Sequence, residues 1–341
     1  MERFVSLPRL DLGSTGIQVT PLGYGCATLF RASDPAQRSR LLHAAYEAGI
    51  RHFDVAPMYG LGRAEHELGS FTRVHRSEVT IATKFGIRPT LAARGLAYAQ
   101  RPVRRVLESK PTMRDQARVH TAASSRLLYD QSGYDASAAR RSLQRSLRAL
   151  KTDYVDLLFL HDPLPGSVRS DEVFSFLEDA RTAGLIRSWG ITGAPESAGE
   201  VAQSFPRVPV LQLPDDIFAQ SLQRAPAGSA FITFRVLSGA LARIVQHVQA
   251  DESTRLRWEE TIGADCGDPD IASSFLLRSA LQANSSGVVL FGATQLSHIR
   301  TAATALEKHL SSVSDRSDIG SFTSLVNAEL CGPAATERRG I

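Results

Sequence analysis

Eight short apolar runs recur along the chain, and helical stretches separate most of them. They are Leu22–Ala27, His52–Ala56, Thr80–Phe85, Val155–His161, Ile186–Ile191, Val210–Leu213, Phe231–Val236 and Val288–Phe291. Several are apolar throughout, the pattern of strands covered on both faces. Strand–helix alternation supplies such cover through parallel βαβ units. Eight units in about 300 residues favour a closed barrel over an open sheet. The expected fold is therefore α/β, a (β/α)8 TIM barrel with long loops on its C-terminal face.

The helical stretches carry their own boundaries. Asp34 precedes Pro35 as an N-cap for Asp34–Ala48, and Gly49 closes it. Asp135–Leu150 sets apolar positions at helical spacing, with arginines on the other face. Ser170–Ala183 stops at Gly184, and Asp270–Ala283 and Leu296–Leu310 flank the last strand. Ahead of the first unit, Leu10-Asp11-Leu12 and Gln18-Val19-Thr20 lie either side of a Gly-Ser-Thr-Gly turn. That reads as an N-terminal β-hairpin, placed to cap the bottom of the barrel.

Two segments interrupt the alternation. Ile87–Tyr134 spans 48 residues, and Gly239–Cys266 follows the seventh strand and reads as partly helical. Loops of the first length are usually functional or disordered. Both leave the strand ends where barrels build their sites. Residues 1–341 thus read as one barrel domain, with a basic insertion at 87–134 and a tail at 312–341. The tail offers a short helix over Ile319–Leu330 and then a polar end expected to be disordered.

Composition narrows the classes. Hydrophobic residues form 43% of the chain, enough for a large core, yet no run of 18 apolar residues could span a membrane. Met1–Leu10 lacks an apolar signal region, and Cys26, Cys266 and Cys331 are too scattered for a disulfide framework or a zinc site. A soluble, cytoplasmic protein without a metal is expected. Between Arg88 and Arg148 there are 13 Lys/Arg against 4 Asp/Glu, a local +9 that leaves −5 for the rest of the chain. A solvated Arg-rich face explains this, as does a rim attracting an anionic substrate or cofactor phosphates. Nucleic-acid binding is disfavoured because interleaved aromatics are few.

Four ionisable residues fall at or just past strand ends: Asp54, Tyr59, Lys84 and His161. Taken singly, each has a plain structural role: an ion pair, a packed ring, a satisfied histidine. Together they suit carbonyl reduction and its reverse. Hydride delivery creates an alkoxide that needs a proton, and a phenol beside a cation can give one. Lys84 would be that cation, Asp54 would hold it charged, and His161 would donate a hydrogen bond to the carbonyl oxygen.

The stretch Gly49-Ile50-Arg51-His52-Phe53-Asp54-Val55-Ala56-Pro57-Met58-Tyr59-Gly60, continuing through Glu65 and Gly69, resembles the signature of the aldo-keto reductase superfamily. Lys84 and His161 stand in matching settings, and the resemblance runs from about Leu10 to Leu310. It implies a barrel that binds NADP or NAD extended, with Asp54, Tyr59, Lys84 and His161 as its catalytic tetrad and Tyr59 as acid or base. Leu128–Ser132, Arg141–Leu147 and Gly190-Ile191-Thr192-Gly193 are similar to the branch of L-galactose and aldose 1-dehydrogenases, which act on sugars.

The resemblance also implies cofactor contacts. Gln212 matches the glutamine that binds the nicotinamide carboxamide, with Thr192 and Gly193 beside it. Phe234 takes the place of the stacking aromatic, followed by an unusual Arg235. Gly25 lies at the first strand's end. Phe291–His298, with Gly292 and Thr294, resembles the loop over the adenosine phosphates. His298 stands where NADP-preferring relatives have Arg, and Thr301 and Ala302 replace the usual Glu and Asn. Histidine is a poor cation at neutral pH, so the choice between NAD and NADP stays open.

Gly23-Tyr24-Gly25 is too short for a dinucleotide fingerprint, and Gly60-Leu61-Gly62 reads as a turn. Two alternatives remain. A cofactor-binding regulatory or sensor subunit with little turnover would keep the barrel, but has no need of an acid poised at a carbonyl. A barrel lyase or isomerase would need a phosphate or metal site that the sequence does not display.

Overall fold

The computed structural model describes residues 7–90, 93, 129–131, 133–311 and 315–331. The chain opens with a two-stranded hairpin, β1 (Leu10–Asp11) and β2 (Gln18–Val19). Its turn needs left-handed backbone at Gly13 and Gly16. Leu12, Ile17 and Val19 then pack with Ala82, Leu157, Phe159, Val210 and Ile232, which come from four different strands of the barrel. The hairpin therefore plugs the N-terminal mouth with apolar side chains.

Next come β3 (Leu22–Gly25), α1 (Pro35–Glu47), β4 (His52–Asp54), α2 (Ala64–Thr72) and β5 (Thr80–Phe85). A side ribbon follows, β6 (Ile87–Pro89) antiparallel to β7 (Tyr129–Gln131). The remaining strands are β8 (Val155–His161), β9 (Ile186–Thr192), β10 (Val210–Pro214), β11 (Ala230–Phe234) and β12 (Val288–Phe291). β3, β4, β5, β8, β9, β10, β11 and β12 close into one barrel, all neighbours parallel. Every residue of β5, β8 and β12 is buried, which is why their apolar runs show no alternation.

The strand ends depart from the sequence reading for local reasons. β3 stops at Gly25 because Cys26–Arg31 coils into a 3-10 helix. The second run stops at Asp54, two residues short of Ala56. The seventh spans Ala230–Phe234 rather than Phe231–Val236, because Arg235 turns left-handed at φ 66°. The helix ends fall close to expectation. Asp34 accepts hydrogen bonds from Ala36 N and Gln37 N, and Asp135 from Ala138 N, as N-caps should.

The expected insertion 87–134 begins and ends around the β6–β7 ribbon; the residues between the two strands, apart from Thr90 and Ala93, lie outside the described residues. Gly239–Cys266 resolves into helices Ala240–Val248 and Glu252–Ile262. The tail helix runs Asp315–Val326 and widens into a short π turn at Asn327–Cys331. These elements form a second apolar core with Trp258 and Phe322 at its centre. Glu329 fastens it by accepting from Trp258 Nε1 at 3.1 Å, Arg257 Nη2 at 3.0 Å and His247 Nε2 at 2.8 Å. The polar end at 332–341 lies outside the described residues.

Candidate active site

All four ionisable residues singled out in the sequence meet at the C-terminal mouth of the barrel. Register brings Asp54 beside Gly25 and Ala82, and Lys84 beside Phe159, so adjacent strands aim their last side chains at one point. Lys84 Nζ donates to Asp54 Oδ1 and Oδ2, each at 2.7 Å, and to Val55 O at 3.1 Å. The side chains of this pair are 2% and 5% exposed, so neither charge has water to rely on. Lys84 Nζ lies 5.1 Å from the centre of the Tyr59 ring, and Tyr59 meets the His161 ring edge-on at 6.1 Å.

The Tyr59 turn is shaped by left-handed backbone at Gly60 (φ 58°) and Leu61 (φ 55°). A Cβ on Gly60 would also strike the Phe30 ring at 2.4 Å, so only glycine fits there. The turn expected at Gly60-Leu61-Gly62 is thus a tightly packed one.

Burial and neighbouring charge set the protonation states. Burial alone would lower the Lys84 pKa, but the Asp54 charge and hydrogen bonds outweigh it and the net shift is upward. Lys84 therefore stays an ammonium at neutral pH. Tyr59 is pushed up by burial; Lys84 opposes this, and Asp54 adds to it. The sequence argument that a cation lowers the phenol is right for Lys84 alone and wrong for the sum. Tyr59 stays protonated at neutral pH. His161 is driven down to about 3 by burial and then by Lys84, so its ring is neutral and offers one N–H.

Three supports were not legible in the sequence. Gln212 Nε2 donates to Asp54 Oδ2 at 2.8 Å, tying β10 to the ion pair across 158 residues. Tyr134 Oη donates to the His161 carbonyl and packs so close that a Cβ on Gly86 would meet its ring at 2.2 Å. Asp162, left-handed at φ 47°, sets its carboxylate 3.9 Å from His161 Nε2. Non-glycine residues in that region store strain and cluster at functional sites.

The residues expected to hold a nicotinamide cofactor lie around the same mouth. Gln212 Oε1 is buried without a partner, an acceptor suited to a carboxamide NH2. Thr192 pairs with Gln212 in register, and Gly193 N donates to Gln212 O at 3.3 Å. Phe234 ends β11 at half burial. A Cβ on Gly25 would meet nothing nearer than Phe291 O at 3.5 Å, so protein packing does not demand that glycine. Gly292 faces Thr28 Oγ1, a second buried atom without a partner. Gln37 Nε2 donates to Thr294 O at 3.1 Å, holding the loop before helix Leu296–Ser311. His298 is exposed in the first turn of that helix. Ala302 is buried in the core, and Thr301 Oγ1 donates to Asp270 at 3.3 Å. The set fits an extended dinucleotide at its nicotinamide end and leaves the adenosine end thinly furnished. Among the described residues no three His, Cys, Asp or Glu side chains group closely enough to hold a metal, and no helix is long and apolar enough to cross a membrane.

The profile of the aldo/keto reductase family matches residues 21–213, more than half of the chain. The chain belongs to the aldo/keto reductase family. Pyridoxal 4-dehydrogenase of Microbacterium luteolum is 37% identical over 196 residues, 53% of this chain and 54% of that protein. D-threo-aldose 1-dehydrogenase of a Pseudomonas species is 33% identical over 187 residues, 52% and 51% of the two chains. L-galactose dehydrogenase of Arabidopsis thaliana is 28% identical over 228 residues, 64% and 52%. The matched part of this chain thus spans about half the length of these curated relatives. Among solved structures, an aldo-keto reductase from Bacillus halodurans superposes with a TM-score of 0.65 at 19% identity, covering 92% of this chain and 95% of that one. At that identity the likeness speaks for the fold.

Proposed function

We propose that this aldo/keto reductase is an NAD(P)-dependent oxidoreductase, interconverting a carbonyl and an alcohol on a small polyhydroxylated or aldehyde substrate in the cytoplasm. The observation that carries the reading is the buried Asp54–Lys84 pair set against Tyr59 and His161. A buried ion pair costs several kcal/mol of desolvation, and a barrel seeking stability alone does better with apolar residues. Its position at the strand ends, where barrels place their active sites, supports a chemical role for the pair.

Bound nicotinamide supplies a hydride to the carbonyl carbon, or accepts one in the reverse direction. Everything else falls to side chains. Gln212 Oε1 would accept from the carboxamide and Phe234 would lie beside the ring. The neutral His161 ring donates its N–H to the substrate oxygen and so orients the carbonyl. As negative charge grows on that oxygen, the protonated Tyr59 transfers its proton there. Lys84 stabilises the phenolate left behind, and Asp54 keeps Lys84 charged and placed. In oxidation the same groups run backwards, with phenolate Tyr59 removing the alcohol proton.

The Asp162 carboxylate beside His161 disfavours an anionic substrate and suits hydroxyl donors. The sugar-dehydrogenase relatives agree with this choice. A substrate funnel formed by the basic region does not, so kcat/KM should be flat in ionic strength.

Tyr59→Phe tests the reading. It should lower kcat by about 10²–10⁴-fold while leaving cofactor affinity near wild type. Wild-type turnover in this variant would remove Tyr59 from the proton's path. Binding of cofactor by the wild type without turnover of any aldehyde or sugar would favour a sensor subunit instead.

A further inference from the structure

One crossover of the barrel is incomplete. Between β10 and β11 the chain forms only a 3-10 turn at Ser221–Arg224, whereas every other crossover between consecutive barrel strands carries an α-helix. The outer ring is thus short of one helix. β11 shows the consequence: Phe231 packs in the layer between strands and helices yet stays half-buried. The space left is a groove of about 800 Å³ between helix Pro195–Ala202 and the links at 205–208 and 224–229. We infer that this groove is a contact surface between two copies of the chain, related by a two-fold axis, with helix Pro195–Ala202 of each copy laid in the groove of the other.

Charge argues for a second copy as the occupant. Glu196 and Glu200 lie one turn apart on the helix, and Arg207 and Arg224 stand on the links; all four are exposed. Among the described residues, the side chains of Glu196, Glu200 and Arg224 make no hydrogen bond or ion pair, while Arg207 Nη2 donates to Ser14 Oγ at 2.9 Å. The groove therefore has an acidic edge and a basic edge that do not pair within one chain. A two-fold axis sets the acidic edge of one copy against the basic edge of the other, and repeats the contact in reverse. Phe205, Pro206, Val208 and Pro226 add apolar lining. Apolar surface with a charged rim is how contacts between proteins are built.

A glycine fits the same reading. Gly199 sits inside the helix, where glycine lowers helix stability, and a Cβ there would have no atom within 4 Å. Nothing in its own chain asks for a glycine at this position. Close approach of a second backbone does. The groove is on the outer wall of the barrel, whereas β10 turns Gln212 inward to Asp54. The association is separate from the proposed hydride chemistry and does not rest on it.

The test is sedimentation velocity of the whole protein at about 1–100 µM. Wild type should reach twice the chain mass at the upper end. Gly199→Arg fills the groove without a clash in its own chain and should weaken association by about tenfold or more. Glu200→Arg and Arg224→Glu should each do the same, because each sets like charges face to face. An equimolar mixture of these two variants should associate again. Glu200→Arg keeps Arg224 and Arg224→Glu keeps Glu200, so both contacts of the mixed pair join opposite charges. Cooperative thermal unfolding would show that each variant is folded. A wild type that stays monomeric throughout would overturn the inference and leave the groove to another protein or a small molecule. Association unchanged in the variants, or no recovery in the mixture, would overturn it as well.

Discussion

Two buried aspartates at opposite ends of the barrel are built on different plans. At the bottom, Asp156 Oδ2 accepts from Arg76 Nη2 at 2.8 Å and from Ile81 N at 2.9 Å, and Oδ1 accepts from Arg187 Nη1 at 3.0 Å. Arg76 reaches on to Thr152, Val79 and Tyr154, and Arg187 to the Gly16 carbonyl of the hairpin. Each carboxylate oxygen has a donor, and the Arg187 side chain is 43% exposed, keeping much of its hydration. At the top, Asp54 and Lys84 are almost wholly buried, and around them His161 Nδ1 and Gln212 Oε1 have no partner. The lower network is complete in itself. The upper one leaves two buried polar atoms open. In a barrel the C-terminal face carries chemistry and the N-terminal face stability, and these carboxylates show the difference atom by atom.

The sharpest way to break this contrast is to neutralise each end. Lys84→Met should lower kcat by about 10²–10⁴-fold, through loss of the cation beside Tyr59. It should also cost about 3–5 kcal/mol by leaving Asp54 buried and unpaired. Adding Asp54→Asn should restore most of that stability and none of the activity, because a buried pair replaced together is often nearly neutral. Urea unfolding and steady-state kinetics on the three proteins would show this. A double variant no more stable than Lys84→Met would mean that the pair is structural, like its counterpart below.

Asp156→Ala reverses the pattern. It strands Arg76 and leaves Ile81 N unpaired, at a cost of about 3–5 kcal/mol. Kcat measured below the melting transition should stay within twofold of wild type. A large loss of kcat without loss of stability would show that the lower network reaches the site.

How much of this was readable follows the same division. Eight strands were visible because two-sided burial makes several of them apolar throughout, and the tetrad because each member ends a strand or lies just past one. Contacts between distant segments left no local mark. Gln212 reads as a cofactor ligand, and nothing near it in sequence announces its bond to Asp54. Tyr134 lies at the edge of an insertion, yet its hydroxyl holds the His161 carbonyl. The tail helix showed its own periodicity, while its docking on Trp258 depends on Glu329, which looks like any surface acid. Strand ends were misjudged where one residue turned left-handed, as at Arg235, since side-chain type alone does not forbid another extended residue there.

A smaller effect separates the ends through pH. His161 is held down to about 3 and His52 to about 4, in both cases chiefly by burial. Unfolded histidines take up protons below about pH 6.5, whereas these two stay neutral in the fold until far lower pH. The unfolded state then binds more protons, so stability falls as pH drops from about 6.5 toward 4. The slope approaches about 1.4 kcal/mol per unit for each histidine. Unfolding free energies at pH 7 and 4.5 should record the loss. The rate profile should meanwhile show no limb near pH 6.5 from His161. Stability that is flat or rises on acidification would mean that the rings are solvated.

The smallest expected effect concerns the cofactor's far end, where the upper network gives out. Among the residues in question, His298 is exposed at the start of its helix, Ala302 is buried, and Thr301 is tied to Asp270. An imidazole there lacks the paired N–H donors that hold a 2′-phosphate, so NAD and NADP should bind within about tenfold of each other. His298→Arg adds a fixed cation in the first helical turn without touching the core. It should shift the ratio of dissociation constants about tenfold toward NADP, or about 1.4 kcal/mol, and leave kcat unchanged. Titrating the nicotinamide fluorescence of NADH and NADPH in both proteins measures the ratio directly. An unchanged ratio would mean that the adenosine phosphate lies away from this helix, and the extended binding path along β12 would have to be redrawn.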